Sequence, residues 1–341
     1  MKHPLQENPI TVESIRGDMV ENTHRVRGVI INHHGKVQAS WGNVEAAIYP
    51  RSSLKIMQIL PLFLSGAYDH YGFSDEEIAL GCSSHAGADI HIKTLKAILD
   101  KIGLSETHLG CGHAYPNDDD SKYALIKAGE PQAASYHMCS GKHAMMLATA
   151  KYLDVAIDDY VDITHPIQQR VMGGIERICE VDLSHAPVGI DGCSLPNWGL
   201  PLVNMAYGFA KIGVCDDLPS DYGQAIKKIR ACVASHPEYV ENQGGGAYDS
   251  FLMDLFKERL FIKSGADGCL FAALPEYGLG VGVKCDDGSP QAARVMMSNL
   301  LNKIGLFDDI SDGHRDKINS LLQPKLRNAN HIITGHQRTL I

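Results

Sequence analysis

A serine and a lysine three residues apart form the first pair in this chain that could do chemistry. They lie in "YPRSSLKIMQILPL", residues 49–62, where an apolar run follows Tyr-Pro. Tyr-Pro is typical of a turn, and the apolar run predicts a helix after it. Because positions i and i+3 share one helix face, Ser52 and Lys55 can point into the same space. Lys55 is therefore either a solvated surface charge or the base that activates Ser52.

A lysine, with a free pKa of about 10.4, can accept a serine proton at neutral pH only when that pKa is lowered. Burial lowers it, and a second positive charge nearby lowers it further. Such a charge is available in "KSG", Lys263–Gly265, which ends a β-type run. Serine β-lactamases and penicillin-binding proteins also combine SxxK with a late Lys-[ST]-Gly. The alternative is that Lys263 is a solvent-facing charge at the end of a strand.

The short polar loop "CSSHAG", residues 82–87, is a second group of candidate site residues. Ser83, Ser84 and His85 could line a pocket, or they could cap the helix that follows Gly87. The spacing alone does not decide between these two roles.

Two further loops contain cysteines beside charged or polar residues, "HMCSGKHAMM" at 137–146 and "VGIDGCSLPNWG" at 188–199. Cys139 precedes a predicted helix whose free N–H groups favour a thiolate, and Lys142 and His143 follow closely. Asp191 and Cys193 flank a glycine. Two cysteines with a histidine suggest a zinc site, whereas the alternative is a pair of inert, buried thiols.

The elements that must position these residues follow from hydrophobic periodicity and turn signals. Residues 26–42 predict a hairpin that feeds into the SxxK segment, and residues 259–289 hold three β-type runs separated by Gly-containing turns. Between them, and once after them, the chain predicts helices at 74–80, 87–102, 142–153, 166–180, 203–212, 220–234 and 289–303. Distant segments should therefore share one sheet, with the helices as a lobe.

The predicted fold is of the α+β type, with an antiparallel sheet built from N- and C-terminal strands and a helical lobe. We expect a single domain over residues 1–341. The sheet lobe covers roughly 1–50 and 259–341, and the helical lobe roughly 51–258.

Composition argues against several classes of protein. The chain has 341 residues, is 44% hydrophobic and carries a net charge of -9, and its lysines and arginines are scattered, so a nucleic-acid partner is not expected. No apolar segment reads as a signal peptide or membrane span. Nine cysteines without CxxC spacing favour reduced thiols and a cytoplasmic location.

Taken together, eight motifs in one order along most of the chain resemble a known family. The resemblance is to the thermolabile, rhizobial-type (class 3) asparaginases, which are akin in fold to serine β-lactamases and serine-dependent glutaminases. The motifs are "VENTHRVRG", "YPRSSLK", "CSSHAG", "LGCGH", "CSGKH", "GIDGCSLP", "SHPEYV" and "KSGADG". Ordered agreement of this kind is far more specific than any single motif.

The resemblance implies roles for the residues at matching positions. Ser52 with Lys55 and Ser84 with Lys263 would be two serine-lysine pairs that face one substrate, L-asparagine. The zinc ligands would be Cys139, Lys142 and Cys193, and the substrate pocket would be lined by Arg51, His143 and Asp191. The resemblance also implies a homodimer.

Three other functions compete with hydrolysis of asparagine. A β-lactam-processing enzyme shares SxxK and Lys-[ST]-Gly, but such enzymes carry a Ser-Asp-Asn that this chain lacks. A glutaminase would differ by one methylene of substrate length. In a non-catalytic zinc-binding protein the thiolates would be structural and the serines would cap helices.

Overall fold

The computed structural model describes residues 7–240 and 247–341. The chain divides into two compact units. The first unit consists of the described residues of Met1–Ser53, Leu200–Gly213 and Lys263–Ile341, and the second of Leu54–Gly199 and the described residues of Val214–Ile262. Leu200–Gly213 thus groups with the strands, although the sequence ranges place it among the helices.

The strands of the described residues are short. They are β1 (Val12–Arg16), β2 (Met19–His24), β3 (Val26–Asn32), β4 (Val37–Trp41), β5 (Ala47–Ile48), β6 (Val188–Ile190), β7 (Pro196–Trp198), β8 (Leu200–Pro201), β9 (Phe261–Gly265), β10 (Cys269–Leu274), β11 (Leu279–Cys285), β12 (Lys325–Arg327) and β13 (Ile333–Thr339).

The α-helices lie mostly between β5 and β9. They are α1 (Lys55–Gln58), α2 (Leu60–Leu64), α3 (Ala67–Tyr71), α4 (Asp75–Gly81), α5 (Asp89–Lys101), α6 (Asp119–Ala128), α7 (Ser140–Tyr152), α8 (Pro166–Cys179), α9 (Leu202–Val214), α10 (Ser220–Ser235), α11 (Tyr248–Phe256), α12 (Pro290–Ile304) and α13 (Asp312–Leu322).

A five-stranded sheet joins the predicted N-terminal hairpin to the three late β-type runs. Its order is β4-β3-β11-β10-β9. β3 pairs antiparallel with β11, from Asn32 opposite Leu279 to Val26 opposite Cys285. The expected α+β fold, with an antiparallel sheet shared by N- and C-terminal strands, is therefore confirmed.

A second, four-stranded sheet, in the order β12-β13-β1-β2, was not predicted from the sequence. The N-terminal part of this sheet was missed because β2, Met19–His24, is nearly all exposed and shows no apolar alternation. β13 pairs antiparallel with β1, with Thr339 opposite Val12. The first unit thus brings residues near both ends of the chain into one sheet.

The predicted helices over 74–80, 87–102, 142–153, 166–180, 203–212, 220–234 and 289–303 are confirmed, with shifts of a few residues at their ends. The exposed helices α6 and α13 were missed because they present almost no apolar face, with Ile318 as their single buried residue.

The helix predicted after Pro50 is instead a 3-10 turn, Arg51–Leu54, followed by α1 and α2. Arg51 has a φ of +56°, in the left-handed region, so a regular helix cannot begin there. Pro61 lies in the first turn of α2, where its missing N–H does not break a helical bond.

Each unit has its own apolar interior. In the second unit α7 is buried from Ser140 to Ala150, and it packs against α2, α4, α5 and α8. In the first unit α12 packs on β3, β10 and β11. Gly280 of β11 lies so close to α9 that a Cβ there would be 2.0 Å from the Ala206 carbonyl oxygen.

Among residues 7–240 and 247–341, no helix combines the length and hydropathy that crossing a membrane requires.

The contact at Gly280 predicts a destabilising substitution. We expect Gly280→Ala to lower the free energy of unfolding by at least the 1–3 kcal/mol that is typical of overpacking, because the atoms that the new methyl meets are helix backbone. Gly313→Ala in α13 is the matched control, since nothing lies within 4 Å of its Cβ position, and it should be neutral or stabilising by up to about 1 kcal/mol. Urea denaturation of both variants measures the difference, and equal midpoints would contradict this account of the packing.

Candidate active site

A direct contact between Lys55 and Ser84 is the centre of the candidate site in the second unit. Lys55 is the first residue of α1 and is completely buried. Its Nζ donates to Ser84 Oγ at 2.9 Å and also to the Ser83 carbonyl oxygen. A buried amine and a half-buried serine hydroxyl are therefore within the distance that proton transfer requires.

The loop that carries Ser84 is fixed at both ends. Ser74 caps α4, and beyond the end of that helix Ser83 Oγ donates to the Leu80 carbonyl oxygen at 2.7 Å. The backbone N–H of Ser84 donates to the Val240 carbonyl oxygen at 2.7 Å. These bonds hold the Ser84 hydroxyl toward Lys55.

A close approach of α4 and α7 brings the Ser84 loop near the start of α7. A Cβ at Gly141 would lie 2.3 Å from the Leu80 carbonyl oxygen, and a Cβ at Gly81 would lie 2.9 Å from the Met145 side chain. Only glycine permits this separation, so the two helices can meet end to end at the site.

His85 connects the Ser84 loop to α7. The N–H of Gly87 donates to His85 Nδ1 at 3.1 Å, so Nε2 carries the hydrogen and donates to Ser140 Oγ at 2.8 Å. Ser140 in turn donates to the Ser135 carbonyl oxygen at 3.1 Å. Burial, and then the charges of His91 and Lys55, hold the pKa of His85 well below its usual 6.5. The ring is therefore neutral at neutral pH.

Cys139 and Cys193 are both buried, and their thiols hydrogen-bond to each other. This bond, together with the positive charges of Lys55 and Lys142, holds the pKa of Cys139 well below its usual value. Since one proton is shared between the two sulfurs, the pKa of Cys193 is raised. The pair thus holds one thiolate.

Lys142 is buried against these two sulfurs. Burial lowers the pKa of its amine, but the negative charge of the Cys193 and Cys139 pair outweighs that effect and raises it. Its Nζ also donates to Gln58 Oε1 at 3.2 Å. Two thiols and one amine converge here, and this donor set suits zinc provided that Lys142 gives up its proton when it binds.

His143 follows Lys142 in α7 and has one buried ring nitrogen without a hydrogen-bond partner among the described residues. Tyr160 accepts the Gly110 N–H at 2.8 Å and bonds His143 Nδ1 at 2.6 Å, so its own proton has Nδ1 as acceptor. The N–H hydrogen of the neutral His143 ring is therefore on Nε2, and within the described residues this buried atom has no hydrogen-bond partner. Burial first, and Lys142 second, keep the pKa of His143 well below 6.5.

Asp191 lies in the turn between β6 and β7, two residues before Cys193. Its N–H donates to the Leu195 carbonyl oxygen at 2.9 Å, and its carbonyl accepts from the N–H of Ser194 at 2.9 Å. Its carboxylate contributes to raising the pKa of Lys142. The turn therefore supplies both a thiol and a negative charge.

Arg51, Ser52 and Lys263 belong to the first unit. Arg51 forms an ion pair with Asp267, and Ser52 is half-buried. Ser53 Oγ donates to the Lys263 carbonyl oxygen at 3.1 Å, and buried Lys263 donates from Nζ to the Ser264 carbonyl oxygen at 3.0 Å.

Gly265 explains how the KSG strand can approach the SxxK turn within the first unit. A Cβ at this position would lie 2.5 Å from the Pro50 carbonyl oxygen and 2.9 Å from Ser53 Oγ. The glycine of Lys-Ser-Gly is therefore a packing requirement.

Three partners of the site residues were missed from the sequence. Gln58 follows Lys55 by three residues, so polar residues at every third position of an apolar segment could have indicated it. Tyr160 and Ser140 carry no local signal, because their roles depend on contacts between helices. Ser84, in contrast, was identified, and its contact is with Lys55.

One family of known proteins matches most of the chain in sequence. The sequence profile of the family described as L-asparaginase II matches residues 12–339. No curated protein matches in sequence.

Among solved structures, the chain is similar to that of Mglu, with a TM-score of 0.40 and 12% identity over 92% of this chain and 72% of the other. It is also similar to the D-alanine carboxypeptidase AmpC from Burkholderia cenocepacia, with a TM-score of 0.38 and 13% identity over 80% of this chain and 90% of the other. Similarity at this level does not bear on the chemistry of the site.

The buried neutral ring of His85 predicts a loss of stability in acid. Its folded-state pKa is lowered, so as the pH falls below about 6.5 the unfolded state takes up a proton first, and the free energy of unfolding falls by up to about 1.4 kcal/mol per pH unit. We expect His85→Gln to remove this contribution. Urea midpoints at about pH 7.5 and 5.5 measure it.

His113→Gln is the matched control, because His113 is exposed and its loss should leave the acid sensitivity of the wild type unchanged. The account of His85 is wrong if His85→Gln loses as much stability between the two pH values as His113→Gln does.

Proposed function

The chain belongs to the L-asparaginase II family and is an amidohydrolase, and from this premise we propose that it hydrolyses the side-chain amide of L-asparagine to aspartate and ammonia. The family match confirms the resemblance that the eight motifs indicate. We likewise propose the substrate, the serine acyl-enzyme and the roles of individual residues.

The observation that carries the mechanism is the bond between Lys55 Nζ and Ser84 Oγ at 2.9 Å. A serine at its free pKa is a weak nucleophile, and an adjacent base makes it effective. Lys55 is completely buried, which disfavours its charged form and suits it to accept a proton. Ser52 precedes the same lysine by three residues, so Lys55 could serve either hydroxyl.

In the proposed reaction, one serine oxygen attacks the amide carbon of asparagine while Lys55 takes the hydroxyl proton. The carbon–nitrogen bond breaks, the departing nitrogen takes a proton from the lysine, and ammonia leaves. Water then attacks the ester, a lysine again accepts and returns the proton, and aspartate is released. The resemblance implies that Lys263 would be the second base of this scheme and would serve Ser84.

Three polar side chains would bind the ends of the substrate, as the resemblance implies. Neutral His143 offers the N–H of Nε2 to an acceptor such as the substrate carboxylate. Asp191 offers a negative charge to the substrate ammonium, and Arg51 a positive charge to the carboxylate. These assignments are proposals for the pocket.

Cys139, Lys142 and Cys193 would hold a zinc ion. The buried thiol pair and the amine beside it support this assignment. When bound, the ion would organise the pocket and anchor the substrate. The proposal also includes a homodimer and a reducing, cytoplasmic location. Nine cysteines of the described chain form no disulfide, which supports the reducing location.

An assay of released ammonia tests the proposed substrate. We expect faster turnover of asparagine than of glutamine and none of a chromogenic β-lactam. Lys55→Met should lower the rate about 10²- to 10⁴-fold because it removes the base, and Lys263→Met should do the same if it is the second base. Lys96→Met, an exposed lysine on α5, is the matched control with an unchanged rate.

Faster release of ammonia from glutamine would assign the chain to the competing glutaminase activity. Absence of release from either amide, with zinc still bound, would leave a non-catalytic zinc-binding protein. Ser52→Ala and Ser84→Ala then identify the nucleophile, since only one of these variants should abolish acylation when the intact protein is followed by mass spectrometry.

Metal analysis tests the zinc assignment separately. We expect about one zinc ion per purified chain, with loss of that ion in Cys193→Ser because thiolates are its strongest ligands here. Cys232→Ser, another buried cysteine that lies in α10, is the control. Undiminished zinc in Cys193→Ser would place the ion elsewhere.

A further inference from the structure

Three potential metal ligands of the first unit meet at a point that the proposed reaction does not use. They are His24 at the end of β2, Cys285 at the end of β11, and Asp287 just before α12. One ligand atom from each lies within 4.8 Å of the other two. None of the three is among the residues assigned to substrate or to the Cys139 site.

The contacts inside this group are short. His24 Nδ1 lies 2.7 Å from Asp287 Oδ2, and Cys285 Sγ lies 2.8 Å from Asp287 Oδ1. The distance between Cys285 Sγ and Asp287 Oδ1 is as short as that of an O–H···O hydrogen bond, although sulfur is larger than oxygen. The carboxylate thus bridges an imidazole and a thiol.

The charged residues next to Asp287 form hydrogen bonds with groups other than Asp287. Asp286 accepts from Arg27 Nε at 2.9 Å and from the Asn8 side chain at 2.7 Å. Arg25 donates to the Asn8 carbonyl oxygen. The nearby arginines are therefore committed to other acceptors, and the negative charge of Asp287 faces His24 and Cys285.

The backbone fixes these three residues independently of any ion. Cys285 N–H donates to the Gly268 carbonyl oxygen at 2.9 Å, and the N–H of Asp286 donates to the Arg25 carbonyl oxygen at 2.9 Å. Asp287 Oδ1 also accepts the Ser289 N–H at 2.9 Å. The ligands are thus preorganised by sheet pairing and by the start of α12.

Access differs among the three side chains in a way that suits a bound ion. Cys285 is buried, whereas the side chains of His24 and Asp287 are 14% and 47% exposed. An ion could enter from the carboxylate side and keep a water ligand there. Zinc commonly uses three protein ligands and one water when its site is open.

We propose that His24, Cys285 and Asp287 form a second zinc site, which joins the end of β2 in the four-stranded sheet to the end of β11 in the five-stranded sheet. The mixture of thiol, imidazole and carboxylate favours Zn²⁺ over Mg²⁺ or Ca²⁺, which prefer oxygen ligands. Because no residue of the amide-hydrolysing site is involved, the proposal is independent of the proposed function.

Equilibrium dialysis of the purified protein against Zn²⁺, followed by elemental analysis, tests this site. We expect the wild type to take up about one ion per chain more than Cys285→Ser and Asp287→Asn do. Cys193→Ser should keep this ion while it loses the other, and Cys232→Ser should match the wild type. At a free zinc concentration of about 100 times the Kd of this site, zinc should raise the folding equilibrium constant about 100-fold more in the wild type than in Cys285→Ser, which keeps only the Cys139 site.

Replacement by Co²⁺ gives a second readout, because a thiolate bound to cobalt absorbs strongly in the near ultraviolet. We expect this near-ultraviolet absorption to be lower in Cys285→Ser than in the wild type by the contribution of one thiolate. His24→Gln and Asp287→Asn change more accessible positions, so they test the site if Cys285→Ser does not fold. Equal uptake of metal by the wild type and by these variants would overturn the proposal.

Discussion

The buried amine of Lys55 is the constraint on which the second unit depends. An amine removed from water destabilises the fold unless its hydrogens find acceptors, and Ser83 and Ser84 supply them. These acceptors lie on a loop, so the loop must be held in place. The Ser83 bond to Leu80, the Ser84 bond to Val240 and the glycine contact between α4 and α7 all act on that loop.

A second buried amine, that of Lys142, is balanced in a different way. Its neighbours are two thiols whose negative charge raises its pKa, and the N-terminal end of α7 stabilises that charge. Burial is the first cause that disfavours positive charge on His85 and His143, the neighbouring lysines add to it, and both rings stay neutral. A neutral ring with a defined tautomer donates at one nitrogen and accepts at the other, whereas a charged imidazolium only donates.

Features with a local cause were predictable from the sequence, and features that depend on contacts between distant segments were not. Ser74 and the acids after it indicated α4, and the Val26–Trp41 hairpin was evident from its β-rich arms. The contact between Lys55 and Ser84 joins positions 29 residues apart, and the helix expected after Pro50 is interrupted by the left-handed Arg51. Spacing along one helix could show neither.

The polar β2 was missed for a related reason, since its pairing with β1 needs no apolar face. Strands of this kind are defined by their partners. β2 pairs with β1, and β1 pairs in turn with β13, which lies more than 300 residues away along the chain. Backbone pairing with β1 and the ion pair between Arg16 and Glu21 thus hold β2 without a hydrophobic pattern.

The pairing of β3 with β11 and of β1 with β13 has a consequence for synthesis on the ribosome. β3 emerges about 250 residues before its partner, which corresponds to roughly 10–50 s at 5–20 residues per second. During that interval the apolar segment Val26–Ile31 has only β4 to pair with, while the helices of the second unit are still being synthesised. Nascent chains should therefore be most prone to aggregation, and most in need of chaperones, before the last strands leave the exit tunnel.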